Sequence, residues 1–483
     1  FSHYADYFNG MEDENIVQAI PNAKASEWME ENIPLFECPQ HNFEEMYYYR
    51  WWSIRKHIKE TPVGYGMTEF LVQRSYSDKY NLIACAIGHH IYESRWLRDP
   101  KYLDQIIHTW YRGNDGGPMK KMDKFSSWNA DAVLARYMVD GDKDFMLDMK
   151  KDLETEYQHW ERTNRLKNGL YWQGDVQDGM EESISGGRKK KYARPTINSY
   201  MYGNAKALSC MGILSGDEGM AMKYGMRADT LRNLVENELW NTRHQFFETM
   251  RTDSSANVRE AIGYIPWYFN LPDTTKKYEV AWKEILDEKG FPAPYGLTTA
   301  ERRHPEFRTR GVGKCEWDGA IWPFASAQTL TAMANFMNNY PQTVLSDSVY
   351  FRQMELYVES QYHRGRPYIG EYLDEVTGYW LKGDQERSRY YNHSTFNDLM
   401  ITGLIGLRPR LDNTIEVNPL IPVDKWDWFC LDNVLYHGHN LTILWDKNGD
   451  RYHCGKGLRI FVDGKEVGHA DTLTRIVCKD VLK

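Results

Sequence analysis

Residues 197–238 read INSYMYGNAKALSCMGILSGDEGMAMKYGMRADTLRNLVENE. Apolar residues recur at steps of three and four over 197–214 and again over 218–238, which predicts a helix in each half. The three residues between them, Ser215-Gly216-Asp217, are typical of a turn. The stretch therefore predicts two antiparallel helices joined by a short connection.

A second copy of this unit lies upstream. Ser126–Val139 is predicted to form a helix, Asp140-Gly141-Asp142 a turn, and the residues after it a long helix. One apolar stripe runs along that long helix, formed by Phe145, Met149, Leu153, Tyr157 and Trp160. Helix, Gly-Asp turn and helix therefore occur twice in the same order.

Helical periodicity continues through most of the chain before residue 408. The further predicted helices span 42–58, 81–97, 100–112, 256–269, 275–287, 320–338 and 345–360. The helices thus number close to twelve and come in pairs joined by short turns. Six such hairpins can close into a ring, an (α/α)6 toroid, whereas an open stack of hairpins is the alternative. We predict the toroid, in a mostly α fold.

The character of the chain changes after Leu407. Short segments with alternating apolar residues predict strands, and Asn448-Gly449 and Asp463-Gly464 are typical hairpin turns. We expect a small C-terminal β-sandwich that braces the toroid. The predicted organisation is therefore an irregular N-terminal segment over 1–40, a catalytic barrel over 41–407 and the sandwich over 408–483.

Composition limits the classes of partner. The net charge of −9 does not favour nucleic acid or an anionic membrane surface. No segment approaches the roughly 18 apolar residues of a membrane span. The 17 Trp and 33 Tyr exceed what a core needs, and the remainder suits a pocket that stacks on sugars. We expect an oligosaccharide or glycan as the partner, and the oligomeric state stays open.

Cysteine and histidine usage indicates no cofactor. The seven cysteines are scattered and lack a CxxC motif, so most are expected to be buried apolar groups. Two disulfide pairings are conceivable in the C-terminal segment, Cys454–Cys478 and Cys430–Cys454. The 15 histidines show no metal spacing, and we expect neither a metal nor an organic cofactor. Because the chain starts at Phe1, we expect that a targeting segment is missing and that the protein is periplasmic or secreted.

Two loops rich in glycine, acids and aromatics interrupt the helices. Residues 171–187 read YWQGDVQDGMEESISGG, and residues 368–383 read YIGEYLDEVTGYWLKG. Two carboxyl groups carried on separate loops are what acid/base hydrolysis of a glycosidic bond requires. We predict Glu181 and Glu371 as that pair.

Four motifs in these loops resemble a known group of enzymes. They are Asp178–Ser183 (DGMEES), Arg194–Tyr200 (RPTINSY), Cys315–Pro323 (CEWDGAIWP) and Gly370–Gly378 (GEYLDEVTG). In order and spacing they resemble the motifs of inverting (α/α)6 glycosidases, the clan of trehalase, processing α-glucosidase and mannosylglycerate hydrolase. The resemblance covers roughly residues 40–410. It implies a general acid on the first loop and a general base, Glu371, on the last.

The acid position departs from the clan. Aligning Gly179-Met180 with the clan's Gly-Met pair places Glu181 where the clan has Asp. Asp178, one loop position away, is therefore the competing acid. Asp374 and Glu375 are the alternatives to Glu371 as base.

The resemblance and the predicted inner helices also suggest substrate contacts. By resemblance, Trp317, Asp318 and Trp322 would line the pocket around the terminal sugar. Further candidates for sugar hydroxyls and the pocket wall are Arg194, Asn198, Trp128, Asn129 and His393.

The sequence therefore predicts an exo-acting, inverting glycoside hydrolase that releases a terminal monosaccharide, with an α-glucosidase-like specificity as one option. A carbohydrate-binding protein without activity, a sugar phosphorylase and a polysaccharide lyase on a similar scaffold are the alternatives. The three long loops at 164–196, 288–319 and 361–391 are expected to leave one mouth of the toroid and to wall a blind pocket.

Overall fold

The structure is a computed structural model that describes residues 2–482. Most of the chain before residue 408 is helical, as predicted. The α-helices are α1 (Ser2–Asn9), α2 (Ala25–Asn32), α3 (His41–His57), α4 (Ile87–Ser94), α5 (Pro100–Arg112), α6 (Asn129–Asp140), α7 (Lys143–Asn164), α8 (Pro195–Ser215), α9 (Glu218–Leu234), α10 (Ile265–Tyr268), α11 (Pro323–Asn339), α12 (Asp347–Ser360) and α13 (Asn397–Leu399).

Six of these helices form a closed inner ring. Contacts run from α4 to α6, α8, α10, α11 and α13 in turn, and α13 contacts α4 again. The outer layer holds α3, α5, α7, α9 and α12. Most of these pack one face on the ring and turn the other to solvent, and nearly all of α8 and α11 is buried. The predicted (α/α)6 toroid is confirmed.

In each Gly-Asp turn, the glycine ends one helix and the aspartate caps the start of the next. Gly141 ends α6 in a left-handed conformation at φ 71°, and Asp142 accepts the Phe145 N–H at 2.9 Å to start α7. The second turn repeats this geometry. There Gly216 has φ 73°, and Asp217 accepts the Met220 N–H at 3.0 Å. Glycine tolerates the positive φ, and aspartate satisfies an unpaired amide at the helix start.

Two predicted helices are wrong in length or type. The predicted helix over 256–269 is a 3-10 turn at Ala261–Tyr264 followed by the single-turn helix α10. The predicted helix over 275–287 is a 3-10 helix at Tyr278–Ile285. Pro266 lies in the first turn of α10, where it has no N–H to donate and cannot continue a helix from upstream.

The N-terminal segment is not irregular, contrary to the prediction. Residues 2–40 contain α1, α2 and the strand Leu35–Glu37. The ring of Tyr4 stacks on Tyr48 at 5.2 Å, and Phe8 meets Tyr49 edge-on at 5.4 Å. These contacts cover the outer face of α3, which explains why that outer helix is almost fully buried.

Antiparallel strands form the C-terminal domain. One sheet has five strands in the order Leu35–Glu37, Trp428–Tyr436, His439–Asp446, Gly457–Val462 and Lys465–Ala470. A second sheet pairs Ile415–Val417 with Ile476–Cys478. The first strand comes from the N-terminal segment, so chain segments far apart in sequence build one sheet.

Short two-stranded ladders occupy the loops. They pair Ile58–Thr61 with Gly64–Met67, Trp172–Gln173 with Tyr192–Ala193, Trp240–Asn241 with Phe246–Phe247, Pro292–Ala293 with Gly296–Leu297, and Tyr362–His363 with Arg366–Pro367. Several of these ladders lie in the three long loops, so those loops are ordered by backbone hydrogen bonds.

All seven cysteines are free thiols in the structure, so neither conceivable disulfide forms within residues 2–482. Among the helices of those residues, none is both long enough and apolar enough to cross a membrane.

Candidate active site

A cavity of about 480 Å³ opens at one end of the inner ring. Its wall is built by the segments that lead into α4, α6, α8, α11 and α13, so it lies at the N-terminal ends of the inner helices. Each of the three long loops contributes to the wall. Three carboxylates face the cavity, those of Glu69, Glu181 and Glu371.

A tight turn presents Glu181. Gly179 ends the 3-10 turn Val176–Asp178 with φ 70°, and the Met180 N–H donates to the Asp175 carbonyl at 2.8 Å. The Met180 side chain is buried, which fixes the neighbouring Glu181 at the cavity wall. Burial, followed by the negative charges of Glu371 and Asp175, raises the pKa of Glu181 to about 7.

Glu371 lies on the opposite loop, next to a required glycine. A Cβ on Gly370 would come within 2.7 Å of both Trp380 and Tyr368, so only glycine fits there. The Glu371 side chain is buried, and its Oε2 has no hydrogen-bond partner within the described residues. Lys382 Nζ lies 3.4 Å and Arg387 Nη2 3.5 Å from this oxygen. Two cations therefore stabilise the negative charge of Glu371.

Glu69 is a third carboxyl group that the sequence did not reveal. It is buried, accepts the Cys85 thiol at 3.5 Å, and lies 3.6 Å from Nδ1 of His393. Burial is the main cause that raises the pKa of Glu69 to about 8, and the charges of Glu371 and Glu181 add to it. Glu69 follows the strand Gly64–Met67 and belongs to no recognisable motif, so no sequence signal could have found it.

A stack of three aromatic rings backs one side of the cavity. Trp322 lines the cavity and stacks on Tyr372 at 4.5 Å and on Trp317 at 4.4 Å. Trp317 thus lies behind Trp322 rather than on the wall. His393 also faces the cavity; burial keeps its pKa well below the usual range, so the imidazole is neutral.

Asp178, the competing acid, is not on the cavity wall. Its side chain is fully buried and forms an ion pair with Arg194 Nε at 2.6 Å. The hydroxyls of Ser126 and Thr196 donate to the same carboxylate. These bonds fasten the Glu181 loop to the start of α8. Arg194 was predicted to hold a sugar hydroxyl, but its guanidinium instead forms this buried ion pair with Asp178.

Asn198 and Asp318 also lie away from the cavity. The Asn198 amide donates to the Tyr171 carbonyl and accepts the Tyr171 N–H, both at 2.8 Å. Asp318 accepts the Arg310 N–H at 2.6 Å and the Gly311 N–H at 3.0 Å. Both side chains thus organise loops next to the cavity, and their predicted contact with substrate gains no support.

Trp128 and Asn129 lie within the ring. Trp128 is fully buried and packs on Tyr200 at 4.8 Å between ring centroids, while Asn129 donates to Glu156 at 3.0 Å. Neither residue lines the cavity. Of the eight predicted substrate contacts, the structure brings only Trp322 and His393 to the wall.

The alternatives to Glu371 are engaged elsewhere. Asp374 accepts the Thr377 N–H at 2.8 Å and closes the turn after Glu371. Glu375 forms an ion pair with Arg308. Neither carboxylate lines the cavity, whereas Glu371 does.

A larger cavity, of about 600 Å³, lies on the other side of the segment 383–390. Its carboxylates, Glu12 and Asp384, are held by Arg389 at 2.8 Å and Arg364 at 2.7 Å. Both carboxylates of the larger cavity are therefore engaged in short ion pairs. The smaller cavity is therefore the candidate active site.

The fold and this site define the chain as a glycoside hydrolase domain of the (α/α)6 type. Residues 79–394 match the family described as mannosylglycerate hydrolase MGH1-like glycoside hydrolase domain, and residues 407–469 match the C-terminal domain of glycosyl hydrolase family 65. The first match covers well over half of the chain. The chain therefore belongs to the MGH1-like glycoside hydrolase family.

Solved structures agree on the fold. A GH63 mannosylglycerate hydrolase from Thermus thermophilus, in complex with glucose, is 12% identical with a TM-score of 0.55, covering 74% of this chain and 99% of its own. A GH78 family rhamnosidase from Bacillus sp. GL1 is 12% identical with a TM-score of 0.60, covering 89% of this chain and 41% of its own. At this identity the likeness shows the fold alone.

A much closer match is a protein called "Sialidase". It is 95% identical, with a TM-score of 0.99 over 100% of this chain. The chain spans only 44% of the length of that protein. The name therefore describes a molecule more than twice as long.

Proposed function

We propose that this chain is the catalytic domain of an exo-acting, inverting glycosidase that releases a terminal monosaccharide from an oligosaccharide or glycan. The observation that carries the proposal is the unequal pair of carboxyl groups in one cavity. Glu181 has a pKa of about 7, and Glu371 is a buried carboxylate whose charge is stabilised by two cations, Lys382 at 3.4 Å and Arg387 at 3.5 Å. Glu181 suits a general acid and Glu371 a general base.

In the proposed mechanism, the Glu181 carboxyl group protonates the glycosidic oxygen as the bond to the anomeric carbon breaks. The Glu371 carboxylate removes a proton from a water molecule that attacks the opposite face of the sugar. The product then has the inverted anomeric configuration. The Trp322 side chain would contact the terminal ring beside this pair.

The presence of the Glu371 carboxylate in the cavity supports hydrolysis over phosphorolysis, because a phosphorylase does not need a base to activate water. The identity of the sugar is a separate question. An α-glucoside is the expectation drawn from the clan. The name "Sialidase" does not select a sugar for this domain, since the chain spans 44% of that protein.

A panel of aryl glycosides and disaccharides, assayed with and without phosphate, tests the proposal. We expect phosphate-independent release of one monosaccharide, with inversion seen by NMR of the first-formed product. A retained configuration would contradict the mechanism. Early release of intermediate oligomers from an oligosaccharide would contradict exo action.

Single substitutions test the proposed roles of Glu181 as the acid and Glu371 as the base. Glu181→Gln and Glu371→Gln are each expected to lower kcat by roughly 10²–10⁴ with the fold intact. Glu182→Gln is the matched control, because Glu182 is the neighbouring carboxylate but pairs with Arg188 outside the cavity, at 2.9 Å. Full activity of Glu181→Gln would remove the acid role from this residue.

A further inference from the structure

Arg308 joins two loops that build the wall of the candidate active site. Its guanidinium forms an ion pair with Glu316 at 2.6 Å, on the loop that leads to Trp322. It forms a second ion pair with Glu375, on the loop that carries Glu371. Both of these partner carboxylates are buried. One guanidinium therefore connects two segments of the wall that are far apart in the sequence.

The two loops bring several negative charges together, and Arg308 is the cation between them. Asp374 lies 3.7 Å from the same guanidinium, so three carboxylates surround it. Within residues 2–482, none of the three forms an ion pair with any other side chain. Carboxylates held close together in a protein repel one another unless a cation compensates them. Without Arg308, we expect the two loops to move apart.

The backbone of Arg308 is strained. Its φ is 57°, in the left-handed region that residues other than glycine rarely adopt. Its N–H donates to the Asp318 carbonyl at 2.9 Å, which fastens the strained residue to the same loop as Glu316. A non-glycine residue persists in this region only where the surrounding structure stabilises it, and such residues are candidates for a functional role.

The other contacts between the two loops lie next to Glu371. Leu373 and Ile321 exchange backbone hydrogen bonds at 2.9 Å and 3.0 Å. The Tyr372 hydroxyl donates to the Lys314 carbonyl. Glu371 directly precedes Tyr372 in the chain, so a shift of one loop against the other would displace the Glu371 carboxylate.

We propose that Arg308 is a positioning residue for the general base, because it holds the loop of Glu371 against the loop of Trp322. The inference rests on the proposed function, since it concerns the base of that reaction. Arg308 does not line the cavity, so it acts through the position of Glu371 rather than on the substrate. A displacement of about 1 Å in a catalytic group can lower the rate about 100-fold.

Arg308→Gly tests the proposal, because glycine adopts a positive φ without strain and leaves an open slot between the carboxylates. We expect kcat on an aryl glycoside to fall about 10- to 100-fold with KM little changed, since the base acts only in the transition state. Arg308 is partly exposed, so a free guanidinium ion can enter the slot from solvent. Millimolar guanidinium chloride should therefore restore part of kcat, whereas the same concentration of sodium chloride should not.

Arg303→Gly is the matched control. Arg303 lies in the same long loop and also bridges two carboxylates, Glu284 at 2.6 Å and Asp287 at 2.9 Å, but it contacts neither the cavity nor the loop of Glu371. Its kcat should equal that of the wild type, with and without guanidinium. Circular dichroism confirms that each variant is folded at the assay temperature.

Hydrogen exchange gives a readout that does not depend on activity. In Arg308→Gly, amide exchange over residues 370–378 should be faster than in the wild type, and guanidinium should slow it again. Arg303→Gly should leave exchange in these residues unchanged. Arg308→Lys is the second variant and serves if Arg308→Gly does not fold. A single ammonium group lacks the guanidinium fork that bridges both carboxylates, so we expect kcat below that of the wild type.

A wild-type kcat in Arg308→Gly or in Arg308→Lys overturns the proposal. So does unchanged exchange over 370–378, or a rise in KM with unchanged kcat. The two proposals fail separately: hydrolysis by the wild type that Arg308→Gly matches would leave the glycosidase and remove the positioning residue. Faster exchange over 370–378 in Arg308→Gly, with no glycoside hydrolysed by the wild type, would leave the link between the loops and remove the proposed function.

Discussion

At the scale of single residues, the surroundings of Glu181 set a pH limit on activity. The proposed acid must carry a proton, and its pKa is about 7 because of burial and the nearby charge of Glu371. We therefore expect kcat/KM to fall as the pH rises above about 7. A pH profile on an aryl glycoside measures this, and a profile that stays level to pH 9 would contradict the assignment.

Asp178 has a structural role that stability measurements can separate from catalysis. Asp178→Ala leaves Arg194 buried without its anion, and we expect a loss of roughly 3–5 kcal/mol in the free energy of unfolding. Chemical denaturation measures this loss. The double variant Asp178→Ala/Arg194→Met should recover part of it, because both charges are then removed. A stable Asp178→Ala protein would show that the ion pair is dispensable.

Glu69 makes the folded protein less stable as the pH rises. A carboxyl group whose pKa is lowered by folding has the opposite effect. Its pKa is about 8 in the folded protein, against 4.5 for an ordinary glutamate, so the folded state binds the extra proton between these values. This contribution to stability is complete below about pH 4.5 and is lost as the pH rises through 8. Glu69→Gln should therefore gain thermal stability over the wild type at pH 9 and differ little at pH 5.

Scanning calorimetry of both proteins at the two pH values provides the comparison. Glu93→Gln is a useful second variant, since Glu93 is buried with a pKa of about 7 but accepts backbone N–H groups of α13 instead of facing the cavity. A pH-independent difference between Glu69→Gln and the wild type would refute the raised pKa.

The sequence predicted those cavity residues that belong to recognisable motifs and missed those that lie outside any motif. Glu181 and Glu371 follow Gly179-Met180 and Gly370, and both reach the cavity that the motifs predict. Glu69 and Arg74 precede α4 in a loop whose path depends on tertiary contacts, so no local pattern marks them. Trp128 illustrates the converse error, because periodicity places it on an inner helix but does not say whether it faces the cavity or a neighbouring helix.

At the scale of elements, the prediction was best where helices are long and capped. The pair α8 and α9 ends within a few residues of the predicted bounds, since Gly216 and Asp217 cap the helices locally. The ring position filled by α10 could not be predicted in detail. Its helix has four residues, and its place is set by contacts with α8 and α11 rather than by its own sequence.

One glycine of α4 leaves no room for a side chain, because a neighbouring residue of the inner ring approaches its backbone closely. A Cβ on Gly88 would lie 2.1 Å from the Trp128 ring, which cannot move because it is fully buried. We expect Gly88→Ala to lower the free energy of unfolding by roughly 1–3 kcal/mol or more through overpacking. Gly219→Ala on the outer helix α9 is the control, because its Cβ would meet nothing closer than 3.7 Å.

Urea denaturation of the two variants gives the comparison. The control is expected to be neutral or slightly stabilising, since alanine favours a helix over glycine by roughly 1 kcal/mol. Equal stability of Gly88→Ala and the wild type would mean that the ring can widen between α4 and α6.

At the scale of the whole molecule, the N-terminal segment connects the barrel to the sheet domain. Leu35 pairs with Asp432, and Phe36 packs on Tyr47 of α3 at 5.2 Å. This pairing was not predicted, because a three-residue strand carries little pattern and its partner lies far away in the sequence. The fold class could be read from repeated local units, whereas the joint between domains depends on long-range contacts such as this strand pairing.

Trp426 is the side chain on which this joint depends most. It is fully buried, and its ring contacts Phe43 of α3 at 5.2 Å, Phe351 of α12 at 5.5 Å and Phe36 at 6.1 Å. Its Nε1 lies 3.2 Å from Gln40. A residue of the C-terminal part thus packs among aromatic rings of the barrel and the N-terminal segment. We therefore expect the two domains to unfold as one cooperative unit.

We expect Trp426→Ala to lower the free energy of unfolding by roughly 3–5 kcal/mol, because it leaves a large cavity among aromatic rings. Loss of the shared packing should also separate the transitions, so that the sheet domain unfolds at a lower temperature than the barrel. Calorimetry, with limited proteolysis during heating, distinguishes two transitions from one. Val423→Ala, at a side chain 57% exposed, is the nearby control and should leave the single transition unchanged. One transition at the wild-type midpoint in Trp426→Ala would show that the strand pairing alone couples the domains.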